Sequence, residues 1–344
     1  MMEILFKSDS TADHITVGMT NFKQHYPFVE GSMVWDEFKT IVRQATQAHV
    51  LPLVGEAMYA KLAADYTAGE LSSEKAAIVA MLQDSVAHYA IYTALPYMPF
   101  VVSSSGIQKQ QPTEGAVAMT HGERKDTRWN AHLDADSFLD GALKLLENTE
   151  GSYWQPWRDH AAKQFKTSAF FKNADDLDEH LNIQGSRRAY INMVSYLKKT
   201  EESAVEWLLG YDLFEALKNP SDEAVMVTLL RKVRKFVAQQ SLYEAVPFLT
   251  LVIEGDGFKI VSRGDGIEER NGLKHQQHEN AILRLQEAAR QRSEQFKTEL
   301  IEFLWKNKAK LPLWLESDYY KSFDTEGVSS QVLTSGDGGV FFRF

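Results

Sequence analysis

Apolar residues recur along this chain at two spacings, and the change from one to the other marks out helices and short strands. Val34, Trp35, Phe38, Ile41, Val42 and Ala45 stand three and four apart, which puts them on one face of a helix. Ser32 precedes them as an N-cap. Gly55 follows, where a helix is expected to end in a left-handed cap. Ile78, Met81, Leu82, Ser85, Val86 and Tyr89 form the stripe of a longer helix, from about Ser73 to Tyr92. The pattern then shifts to β-rich runs, Phe100-Val-Val-Ser103 and Gly106-Ile107, which predict a hairpin. A closing helix is expected from Phe138 to Leu146.

The same series then runs again. A shift of 155 places Phe22 on Leu177, Trp35 on Tyr190, Phe38 on Met193, Gly55 on Gly210 and Tyr59 on Phe214, without a gap from Phe22 to Leu62. The shift then becomes 151, placing Ile78 on Leu229, Leu82 on Val233, Tyr92 on Tyr243 and Pro96 on Pro247. Near the end, Trp157 falls on Trp314. Helical periodicity alone would match apolar positions; a Gly, a Pro and a Trp matching in order require a duplication. In the second copy Pro247 to Glu254 and Phe258 to Val261 flank Gly255-Asp256-Gly257 as a hairpin, and the closing helix runs from about Leu273 to Trp305. Short apolar strands, Ile4–Lys7 and Ala169–Lys172, open the two copies, and Val340–Phe344 is a third such run.

The expected fold is therefore mainly α (α+β): a tandem duplication of a helical unit carrying a β-hairpin, with short terminal strands. Residues 1–160 form the first repeat and 161–322 the second. Residues 323–344 form a linker and an apolar tail.

Composition narrows the chemistry. With 344 residues and 44% apolar content, each half can bury its own core. There is no Cys, which excludes disulfides, thiolate metal sites and thiol catalysis. No stretch is apolar for the roughly eighteen residues that a membrane span needs, and no signal peptide is expected at the start. A formal charge of -10 disfavours phosphate backbones, so sequence-specific nucleic-acid reading is not expected.

Candidate sites are few. His275, His278 and Glu279 share a helix region but lack the order and further ligands of a zinc site, so a solvated face is expected. Asp175, Asp176, Asp178 and Glu179 read as a helix start rather than a calcium loop, because the required Gly and terminal Glu are missing. Arg187 and Arg188, after the cap Ser186, are candidate partner contacts. No phosphate loop, dinucleotide fingerprint or nucleophile elbow is present. No catalytic, cofactor-binding or metal-binding residue is assigned. The sharpest candidate is the tail: Val340, Phe341, Phe342, Arg343 and Phe344, preceded by Ser335-Gly-Asp-Gly-Gly339, are expected to dock as an added strand, on this chain or a neighbour.

Leu53-Val-Gly55-Glu-Ala-Met-Tyr59, the segment Pro96 to Ile107, Ser186-Arg-Arg-Ala-Tyr190, Trp154-Gln-Pro-Trp157 and Leu311-Pro-Leu-Trp314 carry a resemblance. With them the chain resembles, over nearly its whole length, an uncharacterised, duplicated helical family encoded in phages and prophages. The single unit is similar to the head-to-tail connector (adaptor) proteins of tailed phages. That resemblance implies a virion structural protein with no catalytic residues. It would assemble as a homo-oligomer or ring with portal and tail proteins, at the head-tail junction or in the bacterial cytoplasm during assembly. No cofactor, membrane or small-molecule substrate is expected. The alternatives are a cytoplasmic interaction protein of bacterial origin and an enzyme with a site between the repeats.

Overall fold

The computed structural model describes residues 21–27, 35–96, 100–103, 106–109, 120–164, 168–254, 257–261 and 272–324. For the strands and residues 36–37, 121, 163–164, 272–279 and 324 it describes the backbone alone. The chain divides into two compact units, Met1–Lys166 and Thr167–Phe344.

In the first unit the helix Trp35–Ala45 runs into a wider π-helical turn, Thr46–Val50, and then Leu51–Val54. Thr46, buried in that turn, donates its hydroxyl back to the Val42 carbonyl at 2.8 Å. Gly55 breaks the helix, and Glu56–Ala68 continues at a new angle. It ends at Gly69, whose N–H bonds the Asp65 and Tyr66 carbonyls in a left-handed cap. Ser72 caps the long helix Ser73–Ala94, accepting from the Lys75 N–H. That helix is buried on far more than one stripe, with Ile78, Leu82, Val86, Ala87, Tyr89 and Ala90 all at 0% exposure. It packs along His121–Glu147, and Trp35–Ala45 lies against it. Phe100–Ser103 and Gly106–Lys109 pair antiparallel between the two long helices, and Gln155–Gln164 closes the unit.

The second unit repeats this order. Arg187–Thr200 leads into a π-helical turn at Glu201–Val205, then Glu206–Leu209, Gly210 and Tyr211–Lys218. The central helix Ala224–Ala245 is followed by the pair Thr250–Glu254 and Gly257–Val261, and by the long helix Gly272–Lys306. Pro312–Leu315 and Asp318–Asp324 close it. The correspondence extends to details. The two π-turns lie 155 residues apart, and the strand registers agree: Phe100 faces Lys109 as Leu251 faces Ile260. Pro52 follows the first π-turn and Trp207 stands at the matching position, so proline is not what widens it. Both turns end on a fully buried valine, Val50 and Val205.

The residues that periodicity assigns to the core lie there. Trp35, Phe38, Tyr59, Leu82 and Val86 are buried, as are Tyr190, Met193, Phe214, Val233 and Val237. Four expectations change. Ala169–Lys172 is not a strand, because its N–H groups are held by a side chain rather than by a neighbouring strand. The first closing helix begins at His121 rather than Phe138, because Thr120 and Glu123 form a capping box that the apolar stripe does not reveal. Gly55 and Gly210 have positive φ but extended ψ, so they are corners and not left-handed caps. Residues 323 and 324, expected to start the linker, complete the last helix. Ser32, Ile4–Lys7 and Val340–Phe344 lie outside the described residues.

Gly55 (φ 83, ψ 139) and Gly210 (φ 79, ψ 154) occupy a region that essentially glycine alone enters. They also have no room. A Cβ on Gly55 would meet His160 Cγ at 2.7 Å, and one on Gly210 would meet Ser317 Cβ at 2.7 Å. His160 and Ser317 sit three residues beyond Trp157 and Trp314, so the two contacts are the same contact made twice. Nothing lies within 4 Å of a Cβ on Gly69. Gly69→Ala is therefore expected to cost about 1–2 kcal/mol, the left-handed penalty alone. Gly55→Ala and Gly210→Ala should each cost roughly 2–5 kcal/mol, because over-packing adds to strain. Urea unfolding of the three variants checks the order; equal losses would mean that the close approach is relieved cheaply.

Candidate functional site

Chemically active side chains gather in three places. The first is inside the first unit. His132, at 0% exposure on the helix His121–Glu147, lies among Tyr92, Tyr89, Trp129 and His49, with ring centroids 4.8, 5.8, 6.3 and 6.4 Å away. Its Nε2 is 3.6 Å from the Asp136 carboxylate, one turn along the same helix. Asp136 also accepts the Tyr89 hydroxyl, and Tyr89 stacks flat on His49 at 4.2 Å. Arg128 covers the outer face of Tyr92 at 4.3 Å and donates its Nε to the Tyr92 carbonyl. A histidine beside a carboxylate is the pairing of a general base and its orienter. The surroundings work against that use. Ser85, one turn before Tyr89, commits its hydroxyl to the Ala135 carbonyl at 3.0 Å, and the imidazole is walled in by rings. This set joins two long helices, Ser73–Ala94 and His121–Glu147, through largely buried polar contacts.

The second place is a carboxylate clamp in the second unit. Glu201, 2% exposed in the π-turn, accepts the Ser168 hydroxyl and the N–H groups of Ala169 (2.9 Å) and Phe170 (3.1 Å). Ser168 Oγ in turn accepts from the Phe171 N–H at 3.0 Å. One carboxylate thus satisfies the donors that a strand partner would otherwise take, and seats Phe170 and Phe171 in the core. Burial pushes the Glu201 carboxyl above its ordinary value, and these hydrogen bonds draw it back only in part.

The arginines do not form a surface pair. Ser186 caps the helix through the Ala189 N–H, as its position suggests. Arg187 is 4% exposed and turns inward. It donates to the Gly185 carbonyl at 2.6 Å and the Asp175 carboxylate at 2.7 Å, tying the acidic helix start to the next helix. Arg188 is half-buried beside it. Asp176 and Asp178 likewise accept backbone N–H groups, of Lys172 and Ile183. The acidic cluster is local wiring. His275, His278 and Glu279 lie on a helix whose side chains there are outside the described residues. Among the described residues no group of three His, Asp or Glu could hold a metal, and no helix is long and apolar enough to cross a membrane.

The third place is a surface. The large hydrophobic residues that stay exposed among the described residues all belong to the second unit, with Trp207 at 55%, Tyr211 at 65% and Phe248 at 77%. Trp207 and Tyr211 flank the Gly210 corner. No periodicity argument finds them, because they break the pattern of the helices they occupy.

With this geometry in view, the family is identifiable. A family model matches residues 50–164 and again residues 205–324, so the chain belongs to DUF6712, a family of unknown function, and carries its domain twice. The two matches begin 155 residues apart, the offset that separates Gly55 from Gly210. No curated protein and no solved structure matches the chain.

The Glu201 clamp makes a pH-dependent expectation. Because the folded carboxyl holds its proton more tightly than the unfolded one, its contribution to stability is largest below the unfolded value near 4.5. That contribution declines as pH rises through the raised folded value. Glu201→Gln carries no such penalty, so the stability difference between it and the parent should move in favour of Gln between pH 4 and pH 7. Glu201→Ala, which strands three donors, should cost about 2–4 kcal/mol at pH 4 and less at pH 7, by the same shift that moves the Gln gap. Chemical denaturation at the two pH values checks both; a gap between Gln and parent that does not move would remove the pH argument.

Proposed function

We propose that this chain is a structural protein of a phage or prophage particle, a head-to-tail connector that works by assembling into a ring and not by catalysis. The observation that carries the reading is the equivalence of the two units, down to the π-turn, the glycine corner and the strand register. One polypeptide then supplies two near-identical blocks to a closed ring, and closed symmetry is the usual solution for repeated units. The resemblance of the single unit to connector proteins supports the same reading. So does the chemistry inside the first unit, where His132, at 0% exposure, and the carboxylate of Asp136 beside it are built into a helix interface.

On this reading the β-hairpin of each unit and short strands near the termini are the parts that add to neighbouring chains, since an exposed strand edge recruits another strand. The partners are copies of the chain together with portal and tail proteins. The place is the head-tail junction, or the bacterial cytoplasm while the particle is assembled. The residues Val340, Phe341, Phe342, Arg343 and Phe344 are the partner-binding tail, which passes to a neighbouring subunit only where ring assembly brings that subunit's seat as near as the chain's own.

Negative-stain microscopy and mass photometry of the purified chain test this, alone and mixed with a portal protein encoded beside it. Rings, or a layer of density added to portal rings, are expected. A chain that remains single up to high micromolar concentration and adds nothing to the portal would overturn the proposal.

A further inference from the structure

The second unit carries an apolar surface that its twin lacks. Trp207, Tyr211 and Leu313 are 55%, 65% and 38% exposed. The matching positions in the first unit are Pro52, Glu56 and Pro156, taking shifts of 155 for the first two and 157, the tryptophan shift, for the third. The three residues sit on short helices that pack on one another around the Gly210 corner. Trp207 meets the ring of Tyr319 edge-on at 4.9 Å. Behind Tyr319 the aromatic layer continues: Phe323 lies 5.1 Å from it, Trp305 is 6.2 Å from Phe323, and Trp314 and Tyr320 are each within 5.2 Å of Trp305. Exposed aromatic residues backed by a rigid aromatic layer are the features of a binding surface.

We propose that this face is the seat of the chain's own segment Val340–Phe344. Three observations select that occupant. The first is where the chain goes. The helix that carries Tyr319 ends at Asp324, beside the face, and fifteen residues, 325–339, separate it from Val340. Such a linker spans up to about 50 Å extended, and its Gly336, Gly338 and Gly339 let it fold back. A short flexible link gives a millimolar effective concentration, so docking on the same chain outcompetes docking on another at ordinary protein concentrations.

The second is chemical fit. Phe341, Phe342 and Phe344 supply three aromatic rings, and a surface of Trp207 and Tyr211 favours offset and edge-on pairing with such rings. The third is charge. Glu206, Asp212, Glu316 and Asp318 stand on the same short helices, and Arg343 brings the opposite charge together with a cation for an aromatic face. Of the lysines on those helices, Lys218 is paired with Glu215 and lies over the Phe214 ring at 4.8 Å, and Lys321 shares the helix of Asp318, so acidic groups remain in excess; Lys308, nearby, is over the Trp305 ring at 5.6 Å. The first unit, with Pro52 and Glu56 in place of Trp207 and Tyr211, offers no such seat. This inference does not depend on the connector reading.

A peptide of residues 336–344, labelled at its first residue and amidated at its last, tests it by fluorescence anisotropy. It is titrated with the full chain, with a chain lacking residues 336–344, and with that truncated chain carrying Trp207→Ala and Tyr211→Ala. Both substituted side chains are exposed, so the fold should persist, and a thermal melt verifies this. The truncated chain is expected to bind the peptide, and the double substitution to weaken binding at least about tenfold, as for central aromatic contacts elsewhere. The full chain should bind it far more weakly, because its own segment occupies the seat. Failure of the truncated chain to bind, or binding indifferent to the two substitutions, would overturn the seat. Equal binding by full and truncated chains would overturn the choice of occupant and leave the face open to another molecule.

Discussion

In each unit a late segment of the chain comes down on a glycine and stops where a single extra carbon would collide. Gly55 receives His160 and Gly210 receives Ser317. The contact is small, yet much of each unit is arranged by it. It fixes the corner between two consecutive helices and sets how deeply the tryptophan just before it enters the core. Trp314, at 0% exposure, reaches across to donate its Nε1 proton to the Leu208 carbonyl at 3.1 Å. In the first unit His160 approaches the Pro52 carbonyl at 3.0 Å, one residue from the matching position, and takes over that hydrogen bond. A backbone approach of this kind admits one residue type, which explains why the glycine recurs where most neighbours have changed.

The polar interiors diverged while the skeleton stayed. Tyr89 with Asp136 in the first unit corresponds to Gln240 with Ser293 in the second, and Ser293 donates to Gln240 at 2.6 Å. His49 and His132 correspond to Ala204 and Ala289. Buried Thr46 bonds its own helix, whereas its counterpart Glu201 captures a separate segment. His25 pairs with Asp84 at 2.7 Å, but His180 faces Arg234 and Lys235, and burial with those cations lowers its pKa. Either solution is stable as long as each buried polar group finds a partner. Exchanging one network for another therefore costs little, whereas filling the glycine corner costs much. The surfaces diverged as well, and the aromatic face around Trp207 belongs to one unit alone.

These contrasts bear on how the chain works. In the assembly proposed above, two units with one backbone plan and different exteriors would occupy similar positions and contact different neighbours.

The sequence by itself determined the repeat, the order of helices and the core. Apolar spacing and the matched Gly, Pro and Trp report local helical phase and backbone demands, and both are written in neighbouring residues. Thr120 and Glu123 also marked the true start of the long helix, through a capping signal that the apolar stripe left aside. Only the tertiary structure decided the rest. Ala169–Lys172 has the composition of a strand, but Glu201, thirty residues on, supplies its hydrogen bonds. Arg187 looks like a surface charge until Asp175 and Gly185 draw it inside. Gly55 looks like an ordinary helix end until His160 arrives from more than a hundred residues away. In each case the deciding partner is remote in sequence, and periodicity carries no information about which distant side chain will arrive.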